Sequence, residues 1–365
     1  MDTTTLRELA TTKGPFASAY FDDSHDTADA AKLLELRWRE VREQLADQGA
    51  PSETLDAMES AVRDSSPPVG RSGRALVAAA DRVLVDQELD APPAQTVARL
   101  SDLPYLLPLA ELGELPPAHV VVVVDHVGAD VTAVDQHGRI VEQETVEGSD
   151  HPVHKVRGGG AAHRDLQSRT EETMRANIDR VAEHVSTTAR RLGAGLVVLA
   201  GESQARKQLH DALPEQVRRT TTELQTGARH QGGSNDELRR QIDELLADAK
   251  KARRAEVRER FRAALGQQTG LAVQGLEATT TALREANVET LIVGDLGDAE
   301  VLTGPEPTLV GSQEEELKAQ GTDALARRRA DEALAVAAIA SAAEIVYADA
   351  SLGLTEGVGA ILRHD

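Results

Sequence analysis

The sequence predicts a multidomain α/β protein: an N-terminal α/β domain, a central mixed-sheet domain with a basic glycine loop, and a C-terminal α/β/α sandwich. Three observations carry that expectation. The chain has 365 residues, more than one hydrophobic core ordinarily organises. Short β-branched runs alternate with long amphipathic stretches, as when strands and helices form packed layers. Charge is also unevenly spread. Divided at 118/119 and 267/268, the first part holds 11 Lys and Arg against 21 Asp and Glu, the middle 23 against 23, and the last 6 against 17. The expected domains are therefore 1–118, 119–267 and 268–365.

Taken in order, the Gly14-Pro15 turn leads into an apolar strand from Phe16 to Phe21. Residues 28–48 repeat Leu33, Leu34, Leu36, Trp38, Val41 and Leu45 near the helical period, and a second helix covers Ser52 to Arg63. Ala75 to Val85 reads as one or two strands, followed by a proline-studded stretch ending at Pro116-Pro117. His119 to Asp125 contains five consecutive valines and reads as a strand buried on both faces. Asp130 to Asp135 and Arg139 to Thr145 alternate as two more strands around a Gln136-His137-Gly138 turn. A polar loop then opens into a helix from His163 to Leu192, a buried strand at Leu196 to Ala200, and a charged helix from Asn235 to Leu265. In the last part, helices are expected at Val273 to Ala286 and Asp323 to Ala343. Strands are expected at Glu289 to Asp295, Glu344 to Ala348 and Gly359 to Arg363.

Composition excludes several chemistries. There is no cysteine, hence no disulfide, thiolate nucleophile or cysteine-held metal. Seven aromatic residues are too few to hold single-stranded nucleic acid mainly by stacking. The first residues lack the basic start and apolar core of a signal peptide, and no apolar run approaches a membrane span, so a cytoplasmic protein without membrane contact is expected. No Walker loop, dinucleotide glycine motif or Gly-x-Ser-x-Gly elbow is present, and no cofactor is expected.

The stretch from residue 151 to 169 is the most informative. Gly158, Gly159 and Gly160 are consecutive, Lys155, Arg157, Arg164 and Arg169 face a single acid, Asp165, and His154 and His163 flank the glycines. A basic tip ahead of a helix N-terminus suits contact with phosphates or an RNA backbone; the alternative is a solvated flexible loop. His151, His154 and His163 match the spacing of no closed metal site. Asp125, Asp130 and Asp135 evoke a two-metal nuclease, but their spacing fits successive turns better. Lys250, Lys251, Arg253, Arg254, Arg258, Arg260 and Arg262 crowd a helix end, either as a solvated face or as one that tracks phosphates.

These residues resemble the archaeal and eukaryotic peptide-chain release factor family, which includes the ribosome-rescue protein Pelota. Where that family carries Arg-Gly-Gly-Gln-Ser-Ala-x-Arg before a long helix, this sequence reads Arg157-Gly158-Gly159-Gly160-Ala161-Ala162-His163-Arg164. Residues 270–293, GLAVQGLEATTTALREANVETLIV, and the DEALAVAAIASAAEIVYAD and GVGAILRH segments resemble the family's third domain. The opening GPFASAYFDDSHDTADAAKLLELRWREVREQL resembles the bacterial branch, with its Balon-type ribosome hibernation factors.

The resemblance implies rRNA contact through His154, Lys155, Arg157, Gly158, Gly159, Gly160, His163 and Arg164, and docking of a translational GTPase, elongation factor Tu in a bacterium, by the third domain. It departs from the family in two ways. The glutamine used at the peptidyl-transferase centre is replaced by Gly160, and no stop-codon motif of the Asn-Ile-Lys-Ser type is recognisable. A non-enzymatic factor that occupies the ribosomal acceptor site in hibernation or rescue is therefore expected. The alternative is peptide release or peptidyl-tRNA hydrolysis by the loop backbone.

Overall fold

A computed structural model describes residues 9, 12–27, 29–65, 71–113, 117–135, 140–147, 161–226, 236–267, 269–348 and 350–365, with backbone alone for 161–172 and 236. Contacts divide the chain into two compact units: residues 1–114 together with 254–365, and residues 115–253.

The first segment is built on an antiparallel sheet. Strands β1 (Phe16–Asp22), β2 (Gly73–Ala79), β3 (Arg82–Leu89) and β4 (Val97–Ser101) lie in the order β3-β2-β1-β4. Side chains alternate across a strand, so β1 serves two cores. Ala17, Ala19 and Phe21 pack with Trp38, Val41 and Leu45 of α1 (Ala30–Asp47) and Leu55 and Met58 of α2 (Ser52–Asp64). Phe16 and Tyr20 face the other way. The proline-studded stretch holds two elements that its prolines conceal in the sequence, β4 and the short α3 (Leu107–Leu112).

In the middle unit, β5 (His119–Val124), β6 (Gly128–Val134), β7 (Ile140–Glu147), β8 (Leu196–Gly201) and β9 (Thr221–Glu223) form a mixed sheet in the order β7-β6-β5-β8-β9. β5 pairs parallel with β8 and antiparallel with β6. Val120, Val122 and Val124 pack on Ile178, Val181 and Val185 of α4 (Ala161–Leu192), with Leu209 of α5 (Ser203–Ala212) and Val217 of α6 (Glu215–Arg218). The valine strand is not fully buried on both faces as expected: Val121 and Val123, on the face away from these helices, stay half-buried. Gly201 closes β8 at φ +113°, where a Cβ would lie 2.1 Å from the Val124 carbonyl oxygen. Residues 115–253 contain no Phe, Tyr or Trp, so this core is aliphatic throughout.

Helix α7 (Asp236–Gln267) leads into the last segment. There β10 (Ala272–Gln274), α8 (Leu276–Arg284), β11 (Val288–Val293), β12 (Glu300–Thr303), β13 (Val310–Gly311), α9 (Glu314–Lys318), β14 (Ala326–Arg329), α10 (Ala330–Ala340), β15 (Glu344–Tyr347) and β16 (Val358–Leu362) follow in turn. The main sheet runs β10-β16-β11-β15 and a small one β13-β12-β14. Leu283 of α8 and Leu334 of α10 cover one face, while Val257 and Phe261 of α7 cover Ile292, Val346 and Ile361 on the other, completing an α/β/α sandwich. Gly359 is required there, because a Cβ would sit 2.6 Å from the Phe261 ring.

Two expected helices begin instead as strands. Residues 273–286 split at Gly275, whose φ of +86° ends β10 and starts α8. Residues 323–343 open with β14, which pairs antiparallel with β12 before α10 begins.

The first and last segments keep separate sheets yet share a core. Phe16, Tyr20, Leu107 and Leu109 lie in one buried cluster with Leu283, Leu291 and Leu334. A polar seam runs beside it. Arg99 Nη1 is 3.1 Å from both Asp331 Oδ2 and Glu332 Oε1, and its guanidinium lies 3.7 Å over the Tyr105 ring. Ser101 Oγ donates to Glu332 Oε2 at 2.6 Å. Glu332 is only 1% exposed, so these partners are what make its charge tolerable. No helix among the described residues is long and apolar enough to cross a membrane.

Candidate functional site

The basic glycine loop joins β7 to α4. His154, Lys155, Arg157, Gly158, Gly159 and Gly160 lie outside the described residues, as do His151 and the Gln136-His137-Gly138 turn. His163 and Arg164 fall in the first turn of α4, where the backbone alone is described. The supports of the loop are defined on both sides. β6 pairs with β7 in one register from Gly128–Glu147 to Ala133–Glu142, after which a bulge shifts it by one residue to Val134–Ile140. Arg180 Nη1 of α4 donates to the Glu147 carbonyl at 3.0 Å, fixing the end of the strand from which the loop leaves.

A second tie between strand and helix was not legible in the sequence. Glu142 of β7 accepts from Thr188 Oγ1 at 3.1 Å, pairs with Arg191, and lies 2.7 Å from His184 Nε2. Glu144, two residues along and hence on the same strand face, approaches His184 Nε2 at 3.9 Å. Burial works to raise the Glu142 carboxyl, but hydrogen bonds from Arg191 and Thr188, with the charges of Arg191 and His184, outweigh it and hold it below the usual range. The i, i+2 spacing of the two glutamates is visible in the sequence. Their histidine, forty residues on, is not.

The other candidates have structural occupations. Asp125 Oδ1 accepts from the Val127 and Gly128 amides at 2.8 and 2.9 Å, which is a turn, and Asp130 accepts from Thr145 Oγ1 at 3.0 Å. The cations of α7 are largely engaged: Lys251 with Asp248 at 3.2 Å, Arg260 with Glu289 at 3.0 Å, Arg262 with Glu259 at 3.2 Å, and Arg254 with the Glu111 carbonyl at 2.8 Å. A helix so paired presents little net charge to a phosphate chain. In the last segment, an open groove of about 490 Å³ lies along α8 beside β10, its lining including Val273, Leu362, Glu277, Glu285 and Glu356.

The middle unit thus defines a mixed-sheet domain in which a basic glycine segment links an edge strand to a long helix. A model described as bacterial archaeo-eukaryotic release factor family 2 matches residues 118–267. Over 363 residues the chain is 41% identical to the uncharacterized protein Rv2629 of Mycobacterium tuberculosis strain H37Rv and likewise to MT2704 of strain CDC 1551, covering 98% of this chain and 96% of each relative. The chain belongs to the bacterial archaeo-eukaryotic release factor family.

Among solved structures it is similar to the archaeal translation termination factor aRF1, at 14% identity over 100% of this chain and 98% of that one, with a TM-score of 0.27. It is also similar to Pelota of Archaeoglobus fulgidus, at 14% identity over 81% and 84%, with a TM-score of 0.33. For Dom34 of S. cerevisiae the identity is 15% over 78% and 73%, with a TM-score of 0.37.

Proposed function

We propose that this protein is a cytoplasmic translation factor that occupies the acceptor site of idle or stalled ribosomes without cleaving the peptidyl ester. The observation that carries the reading is Gly160, standing immediately before α4 where the release factor family has its glutamine. A side chain that helps place a water against an ester contributes by positioning, and glycine supplies only backbone at that point. What remains is a basic segment, His154 to Arg164, suited to rRNA phosphates.

The last segment is the proposed docking surface for elongation factor Tu or a similar translational GTPase. Its excess of 17 acids over 6 bases opposes RNA contact and favours a basic protein patch. The groove beside α8, lined by both apolar and acidic residues, has the make-up of such a contact.

Sedimentation through sucrose gradients tests the reading first. The full chain is expected to travel with ribosomes, and joint replacement of Lys155, Arg157 and Arg164 by Ala is expected to weaken that association and flatten its salt dependence. A peptide-release assay on ribosomes carrying peptidyl-tRNA separates the alternative. Release at the rate of a true termination factor, abolished by changing Gly158–Gly160, would replace this reading with loop-backbone hydrolysis.

A further inference from the structure

We infer that Glu142, Glu144 and His184 form a binding site for a divalent transition-metal ion of the Zn²⁺ class, clamping β7 to α4. One donor atom from each residue lies within 4.8 Å of the other two. His184 Nε2 is 2.7 Å from Glu142 Oε1 and 3.9 Å from Glu144 Oε2. Donors held tetrahedrally at about 2.0–2.2 Å from zinc stand roughly 3.3–3.6 Å apart, between those two separations, so small side-chain rotations complete the site.

The orientation of the imidazole is a second, independent observation. His184 Nε2 is sealed from solvent and has no hydrogen-bond partner, although a carboxylate oxygen stands 2.7 Å away. The oxygen is therefore off the axis along which Nε2 carries its proton or its lone pair. Ligands of a shared cation are disposed in this way, because the ion itself takes the axis and the other donors flank it.

The surroundings fit this role. Thr188 and Arg191 hold Glu142, and partners of this kind orient a ligating carboxylate. Three protein donors leave one coordination position open, as in metal sites that accept water or a further ligand. A mixed imidazole–carboxylate set suits Zn²⁺ and its neighbours rather than Mg²⁺ or Ca²⁺, which take oxygen donors. The ion would join the strand and the helix that flank residues 148–160 in the chain, a structural role independent of ribosome binding.

Calorimetric titration of the full chain with Zn²⁺, paired with visible absorption on adding Co²⁺, tests the site. The expected result is one bound ion per chain, with His184→Ala and Glu144→Gln each weakening binding at least about tenfold and removing the Co²⁺ bands. Replacing His151, His154 and His163 together by Ala should leave both signals unchanged. Circular dichroism checks each variant's fold, and Glu144→Gln, at an exposed position, carries the test should His184→Ala unfold. No stoichiometric uptake by the parent chain, or uptake that both variants retain, would overturn the assignment.

Discussion

Two seams in this molecule use the same ingredients in different surroundings. In the first, Arg99 bridges β4 to Asp331 and Glu332 of α10, joining residues more than two hundred positions apart, and the Glu332 carboxylate is sealed from water. In the second, Arg191 and His184 bridge α4 to Glu142 and Glu144 of β7, with Arg191 59% and Glu144 57% exposed. Coulomb attraction is weakly screened in the first and more strongly in the second, where the Arg191 and Glu144 ends reach water although Glu142 is only 15% exposed. The buried seam commits distant parts of the chain to one fold, because a carboxylate stranded there would be costly. The exposed seam adds little stability and keeps its groups available for another ligand.

The largest expected effect tests the first seam. Arg99→Ala strands Glu332 with Ser101 alone and is expected to cost about 3–5 kcal/mol in denaturant unfolding. A loss below 1 kcal/mol would erase the contrast. Leu107→Ala probes the apolar side of the same junction and should cost about 2–4 kcal/mol if the first and last segments truly share a core.

A smaller effect is expected at Asp23, a buried carboxyl beside the first sheet. Burial raises its pKa, Glu88 and Asp86 add to the rise, and Arg74 and His25 oppose it. The folded chain therefore holds this proton more tightly than the unfolded chain. Its contribution to stability falls as pH rises from the unfolded value through the folded one. Asp23→Asn should raise Tm at pH 7, and the gain over the parent should vanish below the unfolded pKa, about 3.9. A variant that melts lower than the parent at pH 7 would show that the pairing with Arg74 outweighs burial.

The smallest effect belongs to the exposed seam. Arg191→Ala should cost less than about 1 kcal/mol, and the difference should shrink further in 1 M salt. The Arg99→Ala penalty should persist in the same buffer. Equal salt sensitivity in the two variants would mean that the seams do not differ as their burial indicates.

Much of this architecture was legible in local sequence pattern. The long helices at 161–192 and 236–267 and the valine strand have strong periodicity or strong β-branching, which tertiary context did not override. The elements that escaped depend on distant partners. Ala326–Arg329 sits in a run of good helix formers, yet it is a strand because it pairs with Glu300–Thr303. Ala272–Gln274 is a strand because β16, almost ninety residues later, runs beside it. Val97–Ser101 lies among prolines but pairs with β1. The basic glycine segment was legible as composition and as a resemblance, since glycines and cations declare themselves in one dimension. The His184 cluster was not, because its members meet only after the sheet and helix have packed.

The distribution of aromatic rings has a practical consequence for spectroscopy. Trp38, 6% exposed and with its ring 6.1 Å from that of Phe21, is the only tryptophan, and residues 115–253 have no Phe, Tyr or Trp. Intrinsic fluorescence and near-ultraviolet dichroism therefore see only the unit made of the first and last segments, while far-ultraviolet dichroism sees both. Comparing the two signals during melting shows directly whether the units unfold together. The same darkness makes the middle unit a clean background: a single tryptophan introduced on β7 would emit with no other Phe, Tyr or Trp in its own unit. Its spectrum would then report what approaches that strand.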